Sequence, residues 1–232
     1  MTPTQRSARL TGLAYLVLAI AGIVGVLLVR GQLYVADDAA RTAANLVAHE
    51  GLARLGIAAD LATVVSQAAA AVGFFLVFRR VHAAGAASIT AFGLVNSAVV
   101  LVATVFSATA LQVALRGGAT SATSALMLYD LNVASWTAGG LFFGLWLVPM
   151  GWLALRSGSM PRPLGWILVV GGAGYVLSTF VSFLAPGASA LAGALPVVAT
   201  VGEVWMVGYL LVKGMPDRPA LQGRRAPETA VA

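Results

Sequence analysis

The chain has 232 residues, 59% of them hydrophobic and 9% charged, with a formal net charge of +6 and no cysteine. A soluble domain carries about a quarter charged residues, so this surface is too poor in charge to be solvated and much of it must meet lipid. The missing thiols exclude disulfides, thiolate nucleophiles and cysteine-ligated metals, and the basic residues are scattered between apolar runs, which reads as membrane topology and excludes a nucleic-acid-binding face.

Residues 1–9 are polar, with Arg6 and Arg9, and are expected to form a short cytoplasmic N-terminus. The first span covers 10–29. Its start has the look of a secretory signal, with Ala19-Ile20-Ala21 as the cleavage site. The apolar run continues to Val29, however, past the ~7–15 residues of a secretory core, so a retained helix is expected. In the polar segment 30–50, Asp37 and Asp38 ahead of an alanine-rich run predict a short extracytoplasmic helix with an acidic N-terminal cap. The second span, 53–78, is closed by Arg79, Arg80 and His82. The third, 88–115, is long enough to tilt or protrude.

Residues 116–124 read as a flexible loop. The fourth span is 133–155, with Pro149 expected to kink it. After the tight connector from Arg156 to Pro163 comes the fifth span, 164–184. A turn at Pro186-Gly187 leads to the sixth, 191–212. Residues 214–232 carry Pro216, Pro219 and Pro227 among charges and predict a disordered cytoplasmic tail. The fold expected is an all-α membrane protein, a six-transmembrane-helix bundle with one short extracytoplasmic helix between spans one and two.

Charge sets the orientation. With a cytoplasmic N-terminus, ten of the fourteen lysines and arginines fall on the inside and four (Arg30, Arg41, Arg54 and Arg116) on the outside. This bias predicts a multi-pass protein of the cell membrane with both termini cytoplasmic.

Only two acids fall inside the spans, Asp60 and Glu203. A carboxylate in hydrocarbon is costly unless paired, protonated or wetted, so these two mark the candidate site. Asp60 lies about 9 Å into the second span at the helical rise. It shares one helix face with Gly56, Thr63 and Gln67. Such a stripe must face protein or water, either as glue between helices or as the lining of an outward-opening cavity. Glu203 lies near the middle of the sixth span, behind Thr200 and Pro196 on its face. Arg54, Arg30 and Arg116 are possible outer partners, although arginines near helix ends also snorkel to the interface. Weaker candidates are Asn96 in the third span, Tyr175 on a fifth-span face with Gly171, Ser178 and Ser182, and Asp130 at the mouth of the fourth.

Trp136, Trp152 and Trp166 read as an aromatic belt, and Trp146 and Trp205 as deeper packing residues. Gly140 and Gly144 form a small-xxx-small step expected to make a close helix contact. The two histidines, His49 and His82, fall on opposite sides of the membrane. No phosphate loop, HExxH or GxSxG pattern is present, so no catalytic residue, metal or cofactor is assigned.

Several segments resemble, in order and spacing, a family of prokaryotic integral membrane proteins catalogued as domain of unknown function 4386. They are Arg54-Leu55-Gly56-Ile57-Ala58-Ala59-Asp60, Phe142-Phe143-Gly144, Arg156-Ser157-Gly158 with Pro161-Arg162 and Leu164-Gly165, and Gly202-Glu203 with Val212-Lys213-Gly214. The resemblance covers residues 8–214. It implies a six-helix bundle with Arg54, Asp60 and Glu203 on family-pattern positions, and it brings no activity with it.

Three functions stay open from the residues. The first is a non-enzymatic protein that binds or transports a small molecule or proton at an outward-facing pocket holding Asp60, Gln67 and Glu203, with Asn96 and Tyr175. The second is an accessory or assembly subunit whose polar stripes hold a membrane-protein partner. The third is an intramembrane enzyme using two carboxylates as acid and base, which requires Asp60 and Glu203 at one place.

Overall fold

In lipid every backbone polar group must be satisfied within the chain, and apolar runs of this length answer that demand as helices. A computed structural model, which describes residues 3–215, contains six helical stretches long and apolar enough to cross a bilayer. Helix α1 (Pro3–Ile23) continues without a break into a π-helical stretch, Val24–Arg30, and a last turn, α2 (Gly31–Leu33). The short α3 (Ala39–Ala48) follows, then α4 (Glu50–Phe78), α5 (Ala83–Arg116), α6 (Ser121–Ser157) and α7 (Arg162–Leu184). Beyond a 3-10 turn at Pro186–Ala188, α8 (Ser189–Ala194) and α9 (Val197–Val212) complete the sixth stretch. The expected disordered tail lies outside the described residues, apart from Gly214 and Met215.

The helices overrun the apolar windows read from the sequence, because a helix leaving hydrocarbon can continue on polar residues. The difference is greatest at α6, which starts at Ser121 and takes in much of the segment read as loop. Asp130 and Asn132, placed by sequence at the mouth of the span, therefore sit well inside a helix. Pro149 also lies within α6. That helix ends at Gly158, whose φ of 64° is the left-handed conformation glycine adopts without steric cost. Asp38 accepts a hydrogen bond from the Arg41 amide at 2.9 Å and caps α3 as expected.

Consecutive spans pack on one another: α1 on α4, α4 on α5, α5 on α6, α6 on α7, α7 on α9, and α9 back on α1. The result is a closed ring in sequence order, with α3 resting on α5 and α6 at the end away from the N-terminus. The α6–α7 contact brings backbone against backbone. A Cβ at Gly144 would stand 2.5 Å from the Gly172 carbonyl oxygen, and one at Gly151 would stand 2.5 Å from that of Gly165. Both helices thus place glycines seven residues apart where their backbones meet, as small residues do in membrane bundles. Gly140, the other half of the small-xxx-small step, meets the Thr179 side chain of the same neighbour.

Trp146 fills the centre of the ring and is fully buried. Its indole meets Tyr15 and Phe74 edge-on, each at 5.7 Å between centroids. Side chains such as Leu27, Val65, Val105, Val170 and Val204 point outward and are more than half exposed, as a lipid-facing surface requires.

Candidate functional site

Asp60 is only 6% exposed and faces the π-helical stretch of the first span. A Cβ at Gly25 would stand 3.2 Å from Asp60 Oδ1, so a glycine here lets the carboxylate approach the neighbouring backbone. One turn away, a Cβ at Gly56 would stand 2.8 Å from Val29 Cγ1, which brings the two helices close at this level. π-Helical turns are rare and concentrate at functional sites. Nothing in the apolar run Val24–Val29 signals one.

Arg30, Trp136 and Asn132 lie near the Asp60 carboxylate. Arg30 is an electrostatic neighbour and not a direct ion pair, and its guanidinium lies 5.2 Å over the Trp136 ring. Asn132, 1% exposed, donates to the Ala103 carbonyl at 2.7 Å. The Trp136 indole N–H is buried without a hydrogen-bond partner. Beside Asp60 a cavity of about 20 Å³ is bounded by Arg30, Ser107, Tyr129 and Asn132. That volume suits a single water with several polar partners and is far too small for an organic ligand.

Two residues expected here are engaged elsewhere. Arg54 is bound to Glu50 at 2.6 Å with its side chain 64% exposed, and it does not line the cavity. Asp130 accepts from the Tyr34 hydroxyl at 2.7 Å. Burial and that bond push the Tyr34 phenol up to about 12, so it stays a neutral donor at ordinary pH.

Glu203 occupies a second place. The Tyr15 hydroxyl donates to its Oε1 at 2.8 Å, across 188 residues of sequence. Tyr15 is held at 1% exposure against Phe74 and Trp146. Tyr175 is also close enough to interact with the carboxylate, and it stacks on Phe143 at 5.7 Å. Among the described residues no basic side chain lies within ion-pair distance of Glu203. Asp60 neighbours Gly25 and Glu203 neighbours Tyr15, ten residues apart on one helical path, so the acids differ in depth by about 15 Å. Glu203 does not line the cavity beside Asp60.

Between them lies a third polar group. Asn96 Nδ2 donates to Gln67 Oε1 at 2.8 Å, both residues are fully buried, and Gln67 Nε2 and Asn96 Oδ1 have no partner. The Asp60–Thr63–Gln67 stripe thus faces the interior of its own ring. Leaving one member of a buried pair unsatisfied costs more than removing both. Asn96→Leu is therefore expected to lower unfolding stability in mixed micelles by about 1 kcal/mol, and Gln67→Met with Asn96→Leu by less. A double variant no more stable than the single one would show the pair to be uncoupled.

A roomier polar recess is elsewhere again. A cleft of about 470 Å³ lies between α6, α7 and α8, with Trp136, Thr137, Tyr175, Ser178, Thr179 and Ser182 on its walls. It runs from the Ala185-Pro186 turn inward to Tyr175. Ser178 donates to the Ala192 carbonyl at 2.7 Å, which ties α7 to α8. Trp136 belongs both to this cleft and to the surroundings of Asp60.

Tyr15 escaped the sequence reading, as did the places of Asn132 and Trp136 near Asp60, whereas Arg30 was one of three arginines offered as outer partners. A tyrosine inside an apolar span is a usable signal, since a buried hydroxyl seeks a partner. Asn132 and Trp136, four apart on one helix face, are another.

Residues 10–214 match the family model described as Domain of unknown function (DUF4386). The chain belongs to this family. In this DUF4386 protein the matched region takes in all six spans and both buried acids. An uncharacterized protein of Archaeoglobus fulgidus is 32% identical over 76 residues, covering 33% of the DUF4386 chain and 44% of that relative. The match therefore spans less than half of the relative's length. No solved structure matches the DUF4386 chain.

Proposed function

We propose that this DUF4386 protein is a non-enzymatic binding or transport protein of the cell membrane that takes up a small cationic or protonatable molecule in the hydroxyl-lined cleft. The observation that carries this reading is the inner wall of the cleft. It ends at Tyr175, an electrostatic neighbour of Glu203, a carboxylate with no basic partner among the described residues. The volume of about 470 Å³ falls in the range of small-molecule sites. Aromatic faces and hydroxyls around an acid suit an ammonium group. The arginine and lysine bias supports cytoplasmic termini, which would open the cleft to the outside.

The other readings draw less support. A two-carboxylate enzyme needs its acids together, and these differ in depth by about 15 Å. An assembly subunit would show its polar stripe to a partner, whereas here Gln67 is bonded to Asn96 within the ring.

The test is thermal unfolding of the purified protein with tetramethylammonium or ethanolammonium chloride against sodium chloride. At least one ammonium salt is expected to raise the melting temperature by a few degrees through mass action. Glu203→Gln and Ser178→Trp should each abolish that rise. An equal response to sodium, or a rise retained in both variants, would remove the cleft as the site.

A further inference from the structure

A different recess lies on the outside of the ring, at the end that carries the N-terminus. Residues Leu145, Val148, Pro149 and Trp152 form its floor on α6, on the face opposite the buried Trp146, Met150 and Leu153. α5 and its cap His82 contribute one wall, with Ser88 and Phe92, and α7 the other with Trp166 and Val169. The groove encloses about 550 Å³, and its walls are almost wholly apolar along its length. Trp166, 59% exposed, stands at its edge.

The mouth of this groove is cationic. The Arg156 guanidinium lies 4.3 Å over the Trp152 ring, which holds a charge at the lip of an apolar slot. His82 uses Nδ1 to accept from the Gly85 amide at 3.0 Å, capping α5, and its imidazole packs edge-on against Trp152 at 5.1 Å. Arg79 and Arg80 precede it, and Arg162 opens α7 four residues before Trp166. Within the described residues no carboxylate balances these charges. Among the described residues Asp37, Asp38, Glu50, Asp60 and Asp130 all belong to the opposite half of the bundle, and Glu203 lies mid-span bound to Tyr15. Arg156 makes no ion pair within 4 Å among the described residues.

We propose that this groove is a binding site for one anionic phospholipid of the surrounding bilayer, its acyl chain along α6 and its phosphate held by Arg156 and the neighbouring basic groups. Charge complementarity selects the occupant. A zwitterionic lipid fills an apolar slot equally well, but its own ammonium offsets its phosphate, whereas an anionic headgroup keeps a net negative charge while accepting charge-assisted hydrogen bonds from the arginine. Basic recesses between transmembrane helices recognise anionic headgroups in this way. The site is separate from the cleft at Tyr175 and does not depend on the function proposed for it.

The full-length protein, delipidated in detergent, is titrated with phosphatidylglycerol, phosphatidylcholine or inorganic phosphate, and bound lipid is counted by native mass spectrometry. One phosphatidylglycerol is expected to bind about tenfold more tightly than phosphatidylcholine, a difference of about 1.4 kcal/mol, and phosphate alone is expected not to compete. Arg156→Gln should bring the two lipids to parity. Ser88→Trp, which fills the groove and leaves every charge in place, should do the same. Equal affinities in the unaltered protein overturn the proposal. A preference that survives Ser88→Trp also overturns it, since the attraction would then be diffuse. Should Ser88→Trp fail to fold, Arg156→Gln decides alone, and a retained preference there counts against the site.

Discussion

Gly144→Leu is expected to destabilise the bundle by about 3 kcal/mol, at the upper end of the cost of overpacking a well-filled interior. The Val176 side chain is in the way at 2.7 Å, but the decisive obstacle is backbone. A Cβ at position 144 would meet the Gly172 carbonyl oxygen at 2.5 Å and the Val176 amide nitrogen at 2.8 Å, and neither can turn aside by changing rotamer. Helices α6 and α7 must separate, which also loosens the matching contact of Gly151 with Gly165. Gly208 is the control: it lies in α9 with nothing within 4 Å of its would-be Cβ, so Gly208→Leu should cost less than about 0.5 kcal/mol. Unfolding in mixed micelles, followed by tryptophan emission, compares the two. Equal losses would mean that the α6–α7 approach is not what the glycine serves.

The second large effect concerns the charge beside Asp60. Arg30→Leu is expected to cost about 3 kcal/mol, because it leaves a carboxylate in a protein interior without its countercharge. Asp60→Asn should cost roughly a third as much, since the arginine sits near a helix end and can extend to the interface while Asp60 cannot move. Combining the two should recover most of the loss from Arg30→Leu, because no unpaired charge then remains. The same unfolding measurement resolves the cycle. Additive losses, or an Asp60→Asn variant as unstable as Arg30→Leu, would show that Arg30 does not serve as the partner of Asp60.

These two predictions differ in how much of their basis can be read from the chain. The small-xxx-small step at Gly140 and Gly144 marks a close contact in advance, although it does not say that Gly151, Gly165 and Gly172 complete it. Gly151 lies about two turns beyond the step and Gly165 and Gly172 lie on the next helix, and only the crossing of α6 with α7 aligns them. Arg30 was one of three arginines near the outer ends of spans, with nothing to prefer it over Arg54. The choice falls to Arg30 because Arg54, four residues from Glu50 on an exposed face, has a partner of its own. The π-helical stretch carries no residue pattern at all. It is visible only where Gly25 lies against Asp60.

The sequence by itself determined the class, the number of spans and the identity of the costly groups. Length and hydropathy are local properties, and a carboxylate in hydrocarbon is conspicuous wherever its helix packs. Tertiary structure alone decided that Asp60 and Glu203 occupy separate places, one beside Arg30 and a water-sized cavity, the other under Tyr15. It also decided that the roomy cleft is bounded by Trp136 and Tyr175. The physical reason is distance along the chain. Partners such as Tyr15 and Glu203 stand 188 residues apart, and their meeting depends on how six helices close into a ring, which no periodicity within a single helix records.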